Sequence, residues 1–270
     1  DGSDCFYKFS LPEDPTEMMS SIEKKMIALD NHEKQEEFYK NPAYPLFLKG
    51  HLLGNDCAVL SALNQLTSKV SVKPSLPSIG VEQPDTIILD VYSVAYLALT
   101  GLIHGLERKQ IKVVITVETQ AYLEHFLENV NRNNYMRAGV NDEGKLWFIT
   151  ADDIKKQTEN VQRGIKQILK IALIGQPHLA DIPPDIIKIK EAVDLSVFSS
   201  LKLSITNNIP WLCIDEAFAQ LAHKSNYPVV NAFNFFSQLS LSLDIDTKLP
   251  GLYLHVTGGL PYPLTYDDLL

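Results

Sequence analysis

Four carboxylates stand where a chain of alternating strands and helices can do chemistry. Asp90 closes the apolar run Thr86-Ile87-Ile88-Leu89 and precedes the helical VYSVAYLALTGL. Asp215 closes Trp211-Leu212-Cys213-Ile214 and precedes EAFAQLAHK. Glu118 lies two residues beyond IKVVIT, at the start of ETQAYLEHFLENV, and Asp194 lies on a helix expected over roughly 185–204. Glu191, three residues before Asp194, shares its helical face, and Glu124 competes with Glu118 for the second position. Strand ends of a parallel sheet joined by right-handed crossovers lie on one edge, so these acids are expected to converge. Converging carboxylates raise one another's pKa. A hard, oxygen-seeking cation such as Mg²⁺ or Mn²⁺ removes that penalty. A hydrated cation in an acidic cleft suits phosphodiester hydrolysis, because it activates water and stabilises the leaving oxygen. Plainer roles stand beside this one. Asp90 and Asp215 suit helix N-caps, Glu118 suits a helix dipole, and Asp194 and Glu191 suit a solvated helix face.

The elements that must position these acids follow from apolar patterning. Residues 1–75 read as helical and rich in charge. They include PTEMMSSIEKKMIALD and a pair of short helices, YPLFLKGHLLG and NDCAVLSALNQL, broken at Gly54-Asn55-Asp56 with Asp56 as a cap. The proline-rich stretch 73–84 reads as a linker. Beyond it, TIILD, IKVVIT, GKLWFIT and PWLCID are strand candidates, separated by helices that include a long one over 152–175. Strands that read as continuous apolar runs, alternating with helices, imply a parallel sheet covered on both faces. The fold class expected is α/β: a three-layer domain with a central parallel sheet flanked by helices over 85–250, plus the amino-terminal helical segment. Residues 251–270 read as a short strand and an extended tail.

Composition narrows the partners. The formal net charge of −9 excludes nucleic-acid binding by bulk charge, so any such site is local. Lys155, Lys156, Arg163, Lys166 and Lys170 could guide a phosphate backbone, although interspersed acids favour a solvated face. The three cysteines match no zinc spacing and point to a reducing, cytoplasmic compartment. Cys213 has no base to make it a nucleophile. The seven histidines, His223 among them, show no close pairing. Ser93 reads as a helix-surface serine or a partner of a metal-bound water, and Asn231 as an N-cap. No apolar run is long enough to span a membrane. The chain lacks an initiator Met and a signal peptide and opens on Asp-Gly-Ser-Asp, as expected of a piece cut from a longer protein.

These stretches together resemble the PIN-domain nucleases. TIILDVYSVAYLALTGL looks like the family's first strand and helix, with Asp90 in the place of the first acid. ITVETQAYLEHFL carries the second acid on Glu118 or Glu124. IKEAVDLSVFSSLKLSI is similar to the helix of the third acid, which favours Asp194 over Glu191. PWLCIDEAFAQLAHKSNYPVV looks like the last unit, with Asp215. GKLWFITADDI and the YPLFLKGHLLGNDCAVLSAL segment are similar to PIN domains that end bacterial proteins with tetratricopeptide repeats and a transcript-cleavage-factor-like module. The resemblance implies a metal-dependent endoribonuclease that uses Mg²⁺ or Mn²⁺, held by Asp90, Glu118, Asp194 and Asp215. The partners implied are RNA, upstream domains of the same protein and a second copy in a homodimer. The alternative is a catalytically inactive PIN-like binding or regulatory module. A receiver-like signalling domain also uses acids at strand ends, but its phosphoacceptor and lysine have no place here.

Overall fold

In the computed structural model the described residues are 40–41, 45–52, 58–68, 73, 75–132, 136–140, 146–178, 182–265 and 268. The helix expected over PTEMMSSIEKKMIALD, the Asp56 cap, Cys5 and Cys57 lie outside them. Two short helices come first, α1 (Leu46–Leu52) and α2 (Ala58–Thr67). Then follow β1 (Thr86–Leu89), α3 (Val91–Thr100), α4 (Ile103–Arg108), β2 (Lys112–Ile115) and α5 (Val117–Val130). A hairpin of β3 (Met136–Val140) and β4 (Leu146–Thr150) leads to α6 (Ala151–Gln157), α7 (Glu159–Ile171) and β5 (Leu173–Ile174). Five helices complete the order: α8 (Pro184–Ile189), α9 (Leu195–Asn207), α10 (Glu216–Lys224), α11 (Ala232–Leu241) and α12 (Ile245–Gly258).

The sheet is parallel and flanked by helices, as expected. β1 pairs with β2 from Thr86↔Lys112 to Leu89↔Ile115, and β5 pairs with the far edge of β2. Single bridges extend the other side of β1: Ile88 to Trp211, Trp211 to Val229, and Val81 to Val230. The order across the sheet is therefore β5, β2, β1, Trp211, Val229–Val230, Val81. The chain moves outward from β1 to β2 to β5, then crosses back to the opposite side of β1. That reversal places a topological switch point between β1 and Trp211, the place where open α/β sheets bind ligands.

Burial explains the elements. β1 is buried from Ile87 to Leu89, and α3 is buried at nearly every position, a helix apolar all round. α5 buries only Thr119, Leu123, Phe126 and Val130, one stripe at helical spacing. Phe47 of α1 and Val59 and Leu66 of α2, all fully buried, share one core with β1 and α3. The amino-terminal helices are thus packed on the sheet domain.

Several expectations change. The strand expected over 210–214 is reduced to a bridge at Trp211, because the Cys213 N–H turns back to the Trp211 carbonyl at 3.1 Å and leaves the ladder. GKLWFIT does form a strand, but in the separate antiparallel hairpin of β3 and β4. The helix over 152–175 breaks at Thr158, and its last residues become β5, whose extended form is set by pairing with Val114 and Ile115. The helix over 185–204 breaks at 190–194, where Val193 turns into the core. The strand expected within 251–270 is the end of α12. Its Gly251 lies so close to Tyr262 and the Thr100 carbonyl that no Cβ fits. The linker is more than a tether. Val81 N–H donates to Val229 O at 2.8 Å and Asn231 N–H donates to Val81 O at 2.9 Å, closing the sheet.

Candidate active site

Asp90 occupies the joint between β1 and α3, with an extended backbone (φ −96°, ψ 179°). Its Oδ1 accepts the Tyr92 and Ser93 amides, each at 2.8 Å, while Ser93 Oγ accepts the Asp90 amide at 2.9 Å. This is a capping box, so Ser93 is a buried cap rather than a surface residue. Oδ2 accepts the Trp211 indole N–H at 2.7 Å. Asp90 is fully buried, and burial pushes its carboxyl up to about 6 against the opposing hydrogen bonds of Ser93, Trp211 and Tyr92.

Asp215 caps α10. Its Oδ1 accepts the Phe218 amide at 3.1 Å, and its Oδ2 accepts the Phe47 amide from α1 at 3.3 Å. Burial raises its carboxyl too, opposed by the amides of Phe218, Phe47, Leu46 and Ala217. Lys49, also buried on α1, is lowered by burial and partly restored by Asp215. Asp90 and Asp215 therefore lie at the carboxyl ends of the two segments that flank the switch point.

Asp194 stands at the start of α9 but makes no side-chain cap bond. Its Oδ2 accepts the Tyr92 phenol at 3.0 Å. That phenol is fully buried and its pKa is raised well above the usual range, first by burial, then by Asp194, with smaller contributions from Asp90 and Asp215. The Tyr92 hydroxyl thus ties Asp194 of α9 to the first turn of α3. Glu118 is half-buried in the first turn of α5. Tyr122, one turn on, is raised first by burial, then by Asp194 and, less, by Glu118. Glu124 is turned to an exposed face, where it accepts from Gln120 at 2.8 Å. Glu191 lies in the exposed turn between α8 and α9, so it shares no helical face with Asp194.

A chain of buried hydroxyls ties these elements together. Thr116 Oγ1 lies 3.0 Å from Thr119 Oγ1, which lies 2.8 Å from Ser196 Oγ. Ser196 Oγ accepts the Val91 amide at 3.0 Å. The ends of β1 and β2 and the start of α9 are locked to one another by this chain. Sequence reasoning missed Thr119, Ser196, Tyr92, Trp211 and Phe47 as parts of the site. One signal was available for Trp211, since a buried indole N–H needs an acceptor. The remaining assignments are plain: Asn231 caps α11, accepting the Asn234 amide at 3.0 Å, and His223 is exposed. Cys213 is buried, its thiol is pushed up by burial, and it donates to the Asp215 carbonyl at 3.3 Å.

This arrangement does not fit Mg²⁺ or Mn²⁺. Among the described residues no three His, Cys, Asp or Glu side chains stand together closely enough to hold one ion. The physical reason is local. Both oxygens of Asp90 and both of Asp215 accept protein N–H groups, and Asp194 accepts the Tyr92 hydroxyl. The acids expected to share a cation are satisfied by separate protein donors.

Residues 88–224, half of the chain, match the family of PIN domains associated with the TPR-GreAB-C-PIN system. The chain belongs to this family. Its PIN domain is of nuclease type and contains Asp90, Glu118, Asp194 and Asp215. Phe47, Val81 and Val230 fall outside the matched span. The family's description links the domain to tetratricopeptide-repeat and GreAB-C modules. No curated protein and no solved structure matches the chain. No helix among the described residues is long and apolar enough to cross a membrane.

Proposed function

We propose that this PIN domain is a metal-dependent endoribonuclease. Asp90, Glu118, Asp194 and Asp215 are the residues this reading assigns to the activity. The observation behind this reading is the placement of Asp90 and Asp215 at the carboxyl ends of the two segments that flank the topological switch point, with Asp194 bonded to the Tyr92 hydroxyl. Asp194 makes no side-chain cap bond, so helix capping does not account for all three acids.

A second reading is a PIN module that keeps the fold without cleavage. It is favoured by the Trp211–Asp90 hydrogen bond, since both residues are buried and the indole belongs to the core. Cleavage of a labelled single-stranded RNA with and without Mn²⁺ separates the two. Wild-type protein is expected to cleave only with Mn²⁺, and Asp90→Asn and Asp215→Asn are expected to abolish cleavage. Equal cleavage by all three proteins, or none by wild type, supports the second reading.

A further inference from the structure

A second concave feature lies in the helical layer, away from the acidic strand ends. Helices α3, α4, α7 and α12 enclose an open cleft of about 350 Å³, large enough for a small ligand. Ala98, at its floor, lies roughly 12 Å along α3 from Asp90 at the usual helical rise. Ile103 and Gly164 complete that floor, and all three residues are buried. Close packing fixes the walls. Gly101 has a left-handed backbone (φ 74°), and a Cβ there would lie 2.3 Å from the Thr247 carbonyl oxygen, so the first turn of α12 is seated directly on it. Arg108 of α4 holds the approach to the same turn, donating to Ser242 O at 2.6 Å and to Asp244 Oδ2 at 2.8 Å. Three helices then each place one exposed polar side chain at the rim: His104 from α4, Arg163 from α7 and Asp246 from α12. Arg163 donates to the neutral amide oxygen of Asn160, on its own helix. Asp244 is engaged by Arg108 and by Thr247, whereas Asp246, two residues on, has no side-chain partner among the described residues. A guanidinium and a carboxylate thus line one apolar-floored cleft without pairing to each other.

This pattern selects a ligand chemistry. A phosphate would meet the Asp246 carboxylate, and a metal ion would meet the Arg163 charge. A purely apolar ligand would cover both charges and pair neither. A flat neutral ring with acceptors on one edge and donors on another satisfies every part. Guanine is such a ring. Its N7 and O6 accept from an arginine fork, and its N2 amine donates. With the neighbouring N1–H, that amine presents two donors to a carboxylate. Adenine carries an amine where guanine has O6, which sets a donor against Arg163. We propose that this cleft is a guanine-binding site. Arg163 reads the N7/O6 edge, Asp246 reads the N1/N2 edge, His104 supplies a ring for stacking, and the floor takes the apolar face. The guanine comes from an RNA strand or from a free nucleotide. The proposal does not depend on whether the acids at the strand ends cleave RNA.

The test uses the whole chain with EDTA present, so that neither metal binding nor cleavage contributes. Calorimetry compares guanosine and adenosine monophosphates. Fluorescence anisotropy compares a labelled short oligoribonucleotide containing one guanine with its adenine counterpart. Wild type is expected to prefer guanine by about tenfold or more, the discrimination of one good bidentate pair. Asp246→Asn is expected to remove that preference, and Arg163→Met to weaken guanine binding by about the same factor. Lys170→Met, on the same helix outside the cleft, is expected to bind as wild type does. All three side chains are exposed, so the variants are expected to melt with the wild type. Should one unfold, the wild-type comparison of the two bases decides alone. A guanine preference seen only in the oligonucleotide assigns the site to RNA, and one seen only with the monophosphate assigns it to a free nucleotide; either upholds the site. Absence of guanine binding at millimolar ligand, equal binding of the two bases, or a preference that survives Asp246→Asn overturns it.

Discussion

The Trp211 indole N–H reaches Asp90 Oδ2 at 2.7 Å, and neither side chain touches solvent. A buried carboxylate depends on such donors, because an unsatisfied charge away from water is costly. Trp211→Phe keeps an aromatic ring and removes the donor. A hydrogen bond to a charged group is worth about 1.5–3 kcal/mol, and the smaller ring adds a cavity cost, so a loss of roughly 2–4 kcal/mol at pH 7 is expected. Urea unfolding measures it. The loss should shrink as pH falls through 6 and Asp90 becomes neutral. A loss that is the same at pH 5 and pH 7 would mean that the indole packs without serving the charge.

The buried acid also predicts a pH dependence. Asp90 has a folded pKa of about 6, above the ordinary value of 3.8. Between these values the folded state binds more protons than the unfolded state, so stability falls as pH rises. The contribution is full below about pH 4, is lost through pH 6 and is flat above, with a total on the order of 3 kcal/mol. Asp215 acts in the same direction. Asp90→Asn has no such titration. The wild-type stability minus that of Asp90→Asn should therefore decline from pH 4 to pH 7 in denaturant titrations. A rising difference would mean that the carboxyl is held below its ordinary range.

Ser196 joins two elements that are far apart in sequence. Its Oγ accepts the Val91 amide and contacts Thr119 Oγ1, all within the core. Ser196→Ala leaves a buried amide without its acceptor, a cost of about 1–3 kcal/mol. Thermal unfolding should show a lower midpoint. Ser196→Thr, which keeps the hydroxyl, should recover part of the loss if its methyl group is accommodated.

Gly164 lies where α7 crosses α3, and a Cβ there would meet Ala98 Cβ at 2.7 Å. Alanine would gain up to about 1 kcal/mol of helix propensity. Overpacking a tight contact costs about 1–3 kcal/mol, and Ala98 Cβ is fixed to its backbone and cannot swing away. Gly164→Ala is expected to be destabilising on balance. A raised melting temperature would show that the two helices can separate without cost.

The sequence revealed what local physics decides. The runs TIIL and KVVI are legible because strands buried on both faces are continuously apolar. Asp90 and Asp215 are legible because an acid between a strand and a helix serves as a cap, and both do. What stayed hidden depends on distant partners. β5 has two residues and is extended only because Val114 and Ile115 lie beside it. The turn at 190–194 separates Asp194 from Glu191 because Val193 is drawn into the core. Phe47 meets Asp215 across 168 residues, and Tyr92 meets Asp194 across 102. No spacing rule reaches that far. The metal expectation assumed that converging acids stay bare. Tyr92, Trp211 and Phe47 supply N–H and O–H groups in place of a cation, and none of them looks like a ligand partner in the sequence.

The bridge between Val81 and Val230 has a practical consequence for handling the domain. Val81 gives the sheet its last pairing on that side, through the Val229 carbonyl and the Asn231 amide. A fragment trimmed to residues 88–224 would lose Val81, Val229 and Val230, along with Thr86 and Ile87 of β1. Its Trp211 amide and carbonyl, now bonded to Pro228 and Val230, would face water as a bare strand edge. Unpaired edges recruit other chains. The matched span is a unit of descent, while the sheet with its edge paired needs at least residues 81–231.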